Sequence, residues 1–115
     1  MDFEAAKEVC RSLPGCLEAT KWDNDTVFSV GAKMFAVTNK DLPAQGFSLK
    51  VDDERFLELT DRPGIIPAPY LARAKWVYVT QEAQLDDDEL AALLRRSYEL
   101  VFSRLTRKLQ REITA

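Results

Sequence analysis

The chain contains no histidine. Its absence removes Ser-His and Cys-His nucleophile pairs and every imidazole metal ligand. Glycine is scarce as well, four in all, and neither GxxxxGK[ST] nor GxGxxG occurs, so no loop is built to cradle nucleotide phosphates. The two cysteines, Cys10 and Cys16, form no CxxC and follow no secretory leader, because charges interrupt residues 1–20; both are read as reduced, buried thiols in the cytoplasm. No apolar run approaches the roughly eighteen residues that a membrane span requires, so no membrane partner is expected.

An excess of positive charge is lacking too. Sixteen Lys and Arg stand against nineteen Asp and Glu, a net charge of -3, which counts against a strong non-specific polyanion binder. The acids are concentrated, however. Asp52, Asp53 and Glu54 open one expected helix, and Asp86, Asp87, Asp88 and Glu89 open another, where carboxylates suit the orphan amides and the positive end of the dipole. Neither cluster has the spaced oxygen ligands and glycine of an EF-hand loop, so no metal and no cofactor is expected. No constellation of residues asks for an enzyme.

What is present is enough for one domain over residues 1–115. Hydrophobic residues make up 46% of the 115, sufficient for a core without staples. Phe3, Ala6, Val9, Cys10 and Leu13 recur at helical spacing up to "LPG". From Cys16 to Val51 come short β-rich runs, "CLEATKW", "TVFSV", "KMFAVT" and "GFSLKV", with Gly31-Ala32 between two of them as a tight hairpin of type II′. Asp52 reads as the N-cap of a short helix, with Val51 and Phe56 as its hydrophobic staple. The proline-bearing "IIPAPYLARA" is an irregular connection to the strand "KWVYVT".

Asp86 and Glu89 form a capping-box pattern, and the apolar residues from Leu90 to Leu109 predict one final helix of about twenty residues. The order of elements gives a two-layer α+β domain, an antiparallel sheet of about five strands with helices on one face.

Cations and aromatics then gather in two places. On a wheel of the final helix, Arg96, Arg104, Arg107 and Arg111 fall within roughly 80° of one another, either a phosphate-facing stripe or a solvated face that complements the helix dipole. In the strand after the prolines, Val77 and Val79 face the core, which turns Trp76 and Tyr78 to the open face beside Lys50, Arg73 and Lys75. Such a surface can stack bases and grip phosphates, can dock a protein, or can be closed over by the preceding loop. Lys33, just past the hairpin turn, stands where a cation enters a groove or where it blocks sheet aggregation. Trp22 poses the same choice, as an anchor or as packing.

Four segments in this order, "CRSLPG", "KWDNDTVFSVGAKMFAV", "GIIPAPYLARAKWVYV" and "LDDDELAALLRRSYELVFSRLTRKLQ", resemble the MmcQ/YjbR family of small bacterial proteins over nearly the whole chain. The resemblance implies a frataxin/CyaY-like α+β fold and a DNA-binding role through a double-wing arrangement of hairpins. It supplies no catalytic residues. Family members often carry a histidine-containing, more basic run where this chain has "LARAKW".

The leading expectation is a non-enzymatic DNA-binding protein that contacts the phosphate backbone through Lys33, Lys50, Arg73, Lys75, Arg104, Arg107 and Arg111, with Trp76 and Tyr78. The alternative is a protein-interaction or small-ligand module anchored by Trp22, Trp76 and Tyr78. A metal-handling role rests on fold analogy alone.

Overall fold

Alternation along the strands decides which side of the sheet is covered. Phe28, Phe47, Leu49, Val77 and Val79 are fully buried, and Val77 and Val79 point to the face opposite Trp76 and Tyr78, as the period of two requires. The computed structural model describes residues 2–22, 25–39, 46–69 and 71–115. In it α1 (Phe3–Arg11), β1 (Leu17–Lys21), β2 (Asp25–Val30), β3 (Lys33–Asn39), β4 (Gly46–Lys50), α2 (Asp53–Thr60), β5 (Ile65–Pro67), β6 (Trp76–Thr80), α3 (Asp87–Phe102) and α4 (Arg107–Thr114) follow in chain order, with a single 3-10 turn at Ala72–Ala74. The strands form a six-stranded antiparallel sheet in the order β1-β2-β3-β4-β6-β5. Phe3 meets Phe47 edge-on at 5.5 Å and Tyr98 meets Phe35 edge-on at 5.4 Å, which fixes α1 and α3 against one face.

The α+β architecture agrees with the reading of the sequence, and four details depart from it. The sheet has six strands because three residues of the proline-bearing connection, Ile65–Pro67, pair with Val77–Val79 of β6. Gly31 and Ala32 both have positive φ (56° and 65°), so the β2–β3 turn is type I′ and not type II′. An alanine in the left-handed region costs about 1–2 kcal/mol, so Ala32→Gly raises stability by about 0.5–1 kcal/mol in urea denaturation, after the extra freedom glycine gains in the unfolded chain.

Asp52 takes the extended backbone of an N-cap, yet its side chain does not cap α2: it accepts two hydrogen bonds from Arg96, at 2.9 and 2.8 Å, and ties α2 to α3. Finally, the last helix is broken. Thr106 caps a new helix by accepting from the Leu109 amide at 3.2 Å, and the Gln110 side chain donates to the carbonyls of Phe102, the last residue of α3, and of Leu105 in the connection.

A bulge in β3 shows how α3 is locked to the sheet. Phe28 pairs with Ala36 and Ser29 with Met34, leaving Phe35 as the extra residue, its ring in the core. The fully buried Ser97 of α3 fills the resulting gap in the ladder. Its hydroxyl donates to the Phe35 carbonyl at 2.6 Å and accepts from the Lys50 amide at 2.9 Å. Ser97→Ala strands both backbone groups in a dry site, and a loss of about 2–4 kcal/mol is expected from the shift of the urea midpoint.

Candidate nucleic-acid interface

The register brings the predicted cations to one end of the sheet. Val30 pairs with Lys33 across the type I′ turn, and Lys50 pairs with Trp76, the residue after Lys75. Gly31 packs so tightly on Leu105 that a Cβ there would lie 2.7 Å from its methyl, so the turn that precedes Lys33 sits against the connection that carries Arg104. Lys50 is pushed below the usual lysine value, first by burial and then by the charge of Arg104, with Asp53 acting in the opposite sense. Its ammonium donates to the Ala74 carbonyl, beside Arg73. Lys75 adopts a left-handed backbone (φ 62°) and lays its ammonium over the Phe56 ring at 5.1 Å.

Charge pairing separates two populations of cations. On and beside α1, α2 and α3 most positive side chains are neutralised, Arg11 by Glu8 and Glu18, Arg55 by Glu58, Arg62 by Glu58 and Glu89, Arg96 by Asp52 and Glu99, while the exposed Arg95 of α3 makes no ion pair among the described residues. Among the described residues no ion pair involves Lys33, Lys50, Arg73, Lys75, Arg104, Arg107 or Arg111. Lys108, which the reading of the sequence passed over, joins them on α4, where it is exposed like its neighbour Arg107. The run "TRKLQR" carried that signal.

Acids collect at the other end, where Asp87 accepts from the Asp2 amide at 2.8 Å and Asp86 caps α3 through the Glu89 amide at 2.7 Å. The cation end is not free of acids, since Asp53 and Glu54 are exposed there at the start of α2.

Two expectations about this surface are corrected. The arginine stripe does not exist as drawn, because the helix breaks between Phe102 and Arg107: Arg96 is tied to Asp52 and Glu99, Arg104 lies in the connection, and Arg107 and Arg111 belong to α4. Nor do Trp76 and Tyr78 form a stacking platform. Both lie on the face away from the helices, but Trp76 is only 5% exposed, since the segment before it folds back and exchanges backbone hydrogen bonds with it through Ala68 and Leu71. Tyr78 donates its hydroxyl to Asn39 at 2.9 Å and lays its ring over Gly46. Of the aromatic anchors, Trp22 alone is prominent, 64% exposed at the β1–β2 turn and far from the cations.

A groove of about 110 Å³ between α2 and α3 is lined by Arg55, Leu59, Glu89, Ala92, Leu93 and Arg96, whose charges are already paired with Glu58, Arg62 and Asp52. Among the described residues no group of three or more acidic or cysteine side chains is placed to hold a metal ion. Cys10 and Cys16 are free thiols; burial pushes Cys10 up to about 12, far from a reactive thiolate. No described helix is long and apolar enough to cross a membrane.

The YjbR family model matches residues 11–100, from the end of α1 through all six strands and into α3. The chain belongs to the YjbR family. A similar solved structure is the Deinococcus radiodurans protein DR2400, of the domain family DUF419, at 33% identity with a TM-score of 0.85, covering 97% of this chain and 87% of that one.

Two structures of a Pseudomonas syringae protein share the fold. The crystal structure is 22% identical with a TM-score of 0.73, covering 88% of this chain and 99% of that one. The solution structure is 23% identical with a TM-score of 0.66, covering 93% and 96%. No functionally curated protein matches the chain. The YjbR assignment therefore fixes the family and the fold, and function has to be argued from the surface.

Proposed function

We propose that this YjbR-family protein is a non-enzymatic cytoplasmic DNA-binding domain that holds the phosphate backbone at the cation end of its sheet. Lys33, Arg73 and Arg104 make the principal contacts, Lys50 and Lys75 form the floor, and Arg107, Lys108 and Arg111 extend the surface along α4. The observation that carries the reading is where cations without carboxylate partners gather: Arg11, Arg55, Arg62 and Arg96 are bound to carboxylates, whereas this group makes no ion pair among the described residues and collects at one end of the sheet. Unpaired cations release condensed counterions on contact with phosphates without first breaking an internal pair. Base reading has little support, because Trp76 is buried and Tyr78 is engaged with Asn39, so contact is with the backbone and sequence selectivity is low.

A fluorescently labelled duplex and the corresponding single strand, titrated at about 50 mM salt, test the reading. Saturable binding is the expected result. Its absence on both strands removes the proposal. The protein-interaction alternative keeps one specific support, the exposure of Trp22.

A further inference from the structure

The two edges of the sheet are built differently. The β5 edge is three residues long and ends in Pro67, which protects it against further pairing. The β1 edge has neither protection. All five residues of Leu17–Lys21 are exposed, the strand contains no proline and no bulge, and among the described residues it pairs only with β2. Apolar side chains mark both of its ends: Leu17 is 67% and Trp22 64% exposed, and Trp22 is held at φ 48°, a region bulky residues rarely occupy.

We propose that β1 pairs antiparallel with β1 of a second copy of this chain, making one continuous twelve-stranded sheet about a two-fold axis at Ala19. Faces, charges and strand length together select this register, since only a centre at Ala19 pairs all five residues of Leu17–Lys21. Glu18 and Thr20 lie on the helix face, opposite Phe28 and Thr26, while Leu17, Ala19 and Lys21 lie on the other. A two-fold axis normal to the sheet keeps each face continuous, so like parity must meet like parity. Centred on Glu18 or Lys21, the pairing would set identical charges directly opposite each other. Centred on Ala19, it sets Glu18 against Thr20 and Leu17 against Lys21. Because strand direction reverses, the cation end of one copy lies beside the acid end of the other, so two chains of net charge -3 meet without stacking like on like.

Sedimentation velocity of the full chain across about 10 µM to 1 mM tests the proposal, with Thr20→Lys and Thr20→Glu as paired variants; position 20 is exposed, and unchanged thermal midpoints confirm that both fold. The wild type is expected to pass from one to two 13.1 kDa chains with rising concentration. Thr20→Lys, facing Glu18 of the other copy twice, should tighten the dimer about threefold, because Arg11 already holds that carboxylate at 2.8 Å, and Thr20→Glu should weaken it about threefold. A chain that stays monomeric throughout overturns the proposal, including the case in which the edge takes only an unrelated extended peptide. A dimer that both variants weaken, as a Thr20-centred register would give, or that neither alters, overturns it equally.

Discussion

Replacing Lys33, Arg73 and Arg104 together by glutamine is expected to lower duplex affinity about a hundredfold at about 50 mM salt, because each cation removed from a phosphate forfeits the release of nearly one counterion. Stability should barely change. All three side chains are exposed and none is in an ion pair among the described residues, so their replacement falls within the roughly 0.5 kcal/mol typical of surface substitutions. Arg55→Gln supplies the contrast, since that guanidinium is already held by Glu58 at 3.2 Å; affinity should stay within about twofold. Anisotropy titrations of the two variants against one labelled duplex decide the matter. Equal losses per charge removed, three in the one variant and one in the other, would show that only net charge counts, and that the end of the sheet has no special part.

Gly64→Ala is expected to be the most damaging single substitution for the fold. Gly64 stands at φ +83°, and a Cβ built on it would lie 2.3 Å from the Ala83 backbone nitrogen and 2.6 Å from its Cα, distances no side-chain rotation relieves. Its carbonyl accepts from both the amide and the hydroxyl of Thr80, at 2.9 and 2.8 Å, so any shift also loosens β6. The left-handed backbone contributes about 1–2 kcal/mol and the overlap about 1–3 more. Against a total stability of about 5–15 kcal/mol, that lowers the thermal midpoint by about ten degrees or more. A midpoint within about two degrees of the wild type would contradict this account of the Gly64 turn.

The residues differ in how plainly they announced their places. Strand faces were legible because a period of two is set by covalent geometry, and Val77 with Val79, Phe47 with Leu49, all turned inward as read. The capping role of Asp86 was legible for the same local reason. What escaped were features decided by distant partners. Nothing local to Asp52 says that Arg96, forty-four residues on, will take its carboxylate away from the helix it begins. The break after Phe102 is set by Thr106 and Gln110 against an apolar periodicity that runs on unbroken, so the wheel placed Arg96 and Arg104 on one stripe that the chain never forms. Trp76 was read from its strand face alone, and its burial comes from the segment that folds back over that face. The clustering of Lys33, Lys50 and Lys75 at one end needed the register of three strand pairs, which no window of sequence contains.

The claim on which the function rests is that unpaired cations at one end of an acidic protein suffice to hold a phosphate backbone. The slope of log affinity against log salt, measured on a labelled duplex from about 50 to 200 mM, reports this directly: three or four neutralised phosphates give roughly -3 to -4. A slope near zero, or binding that salt leaves unchanged, would contradict it.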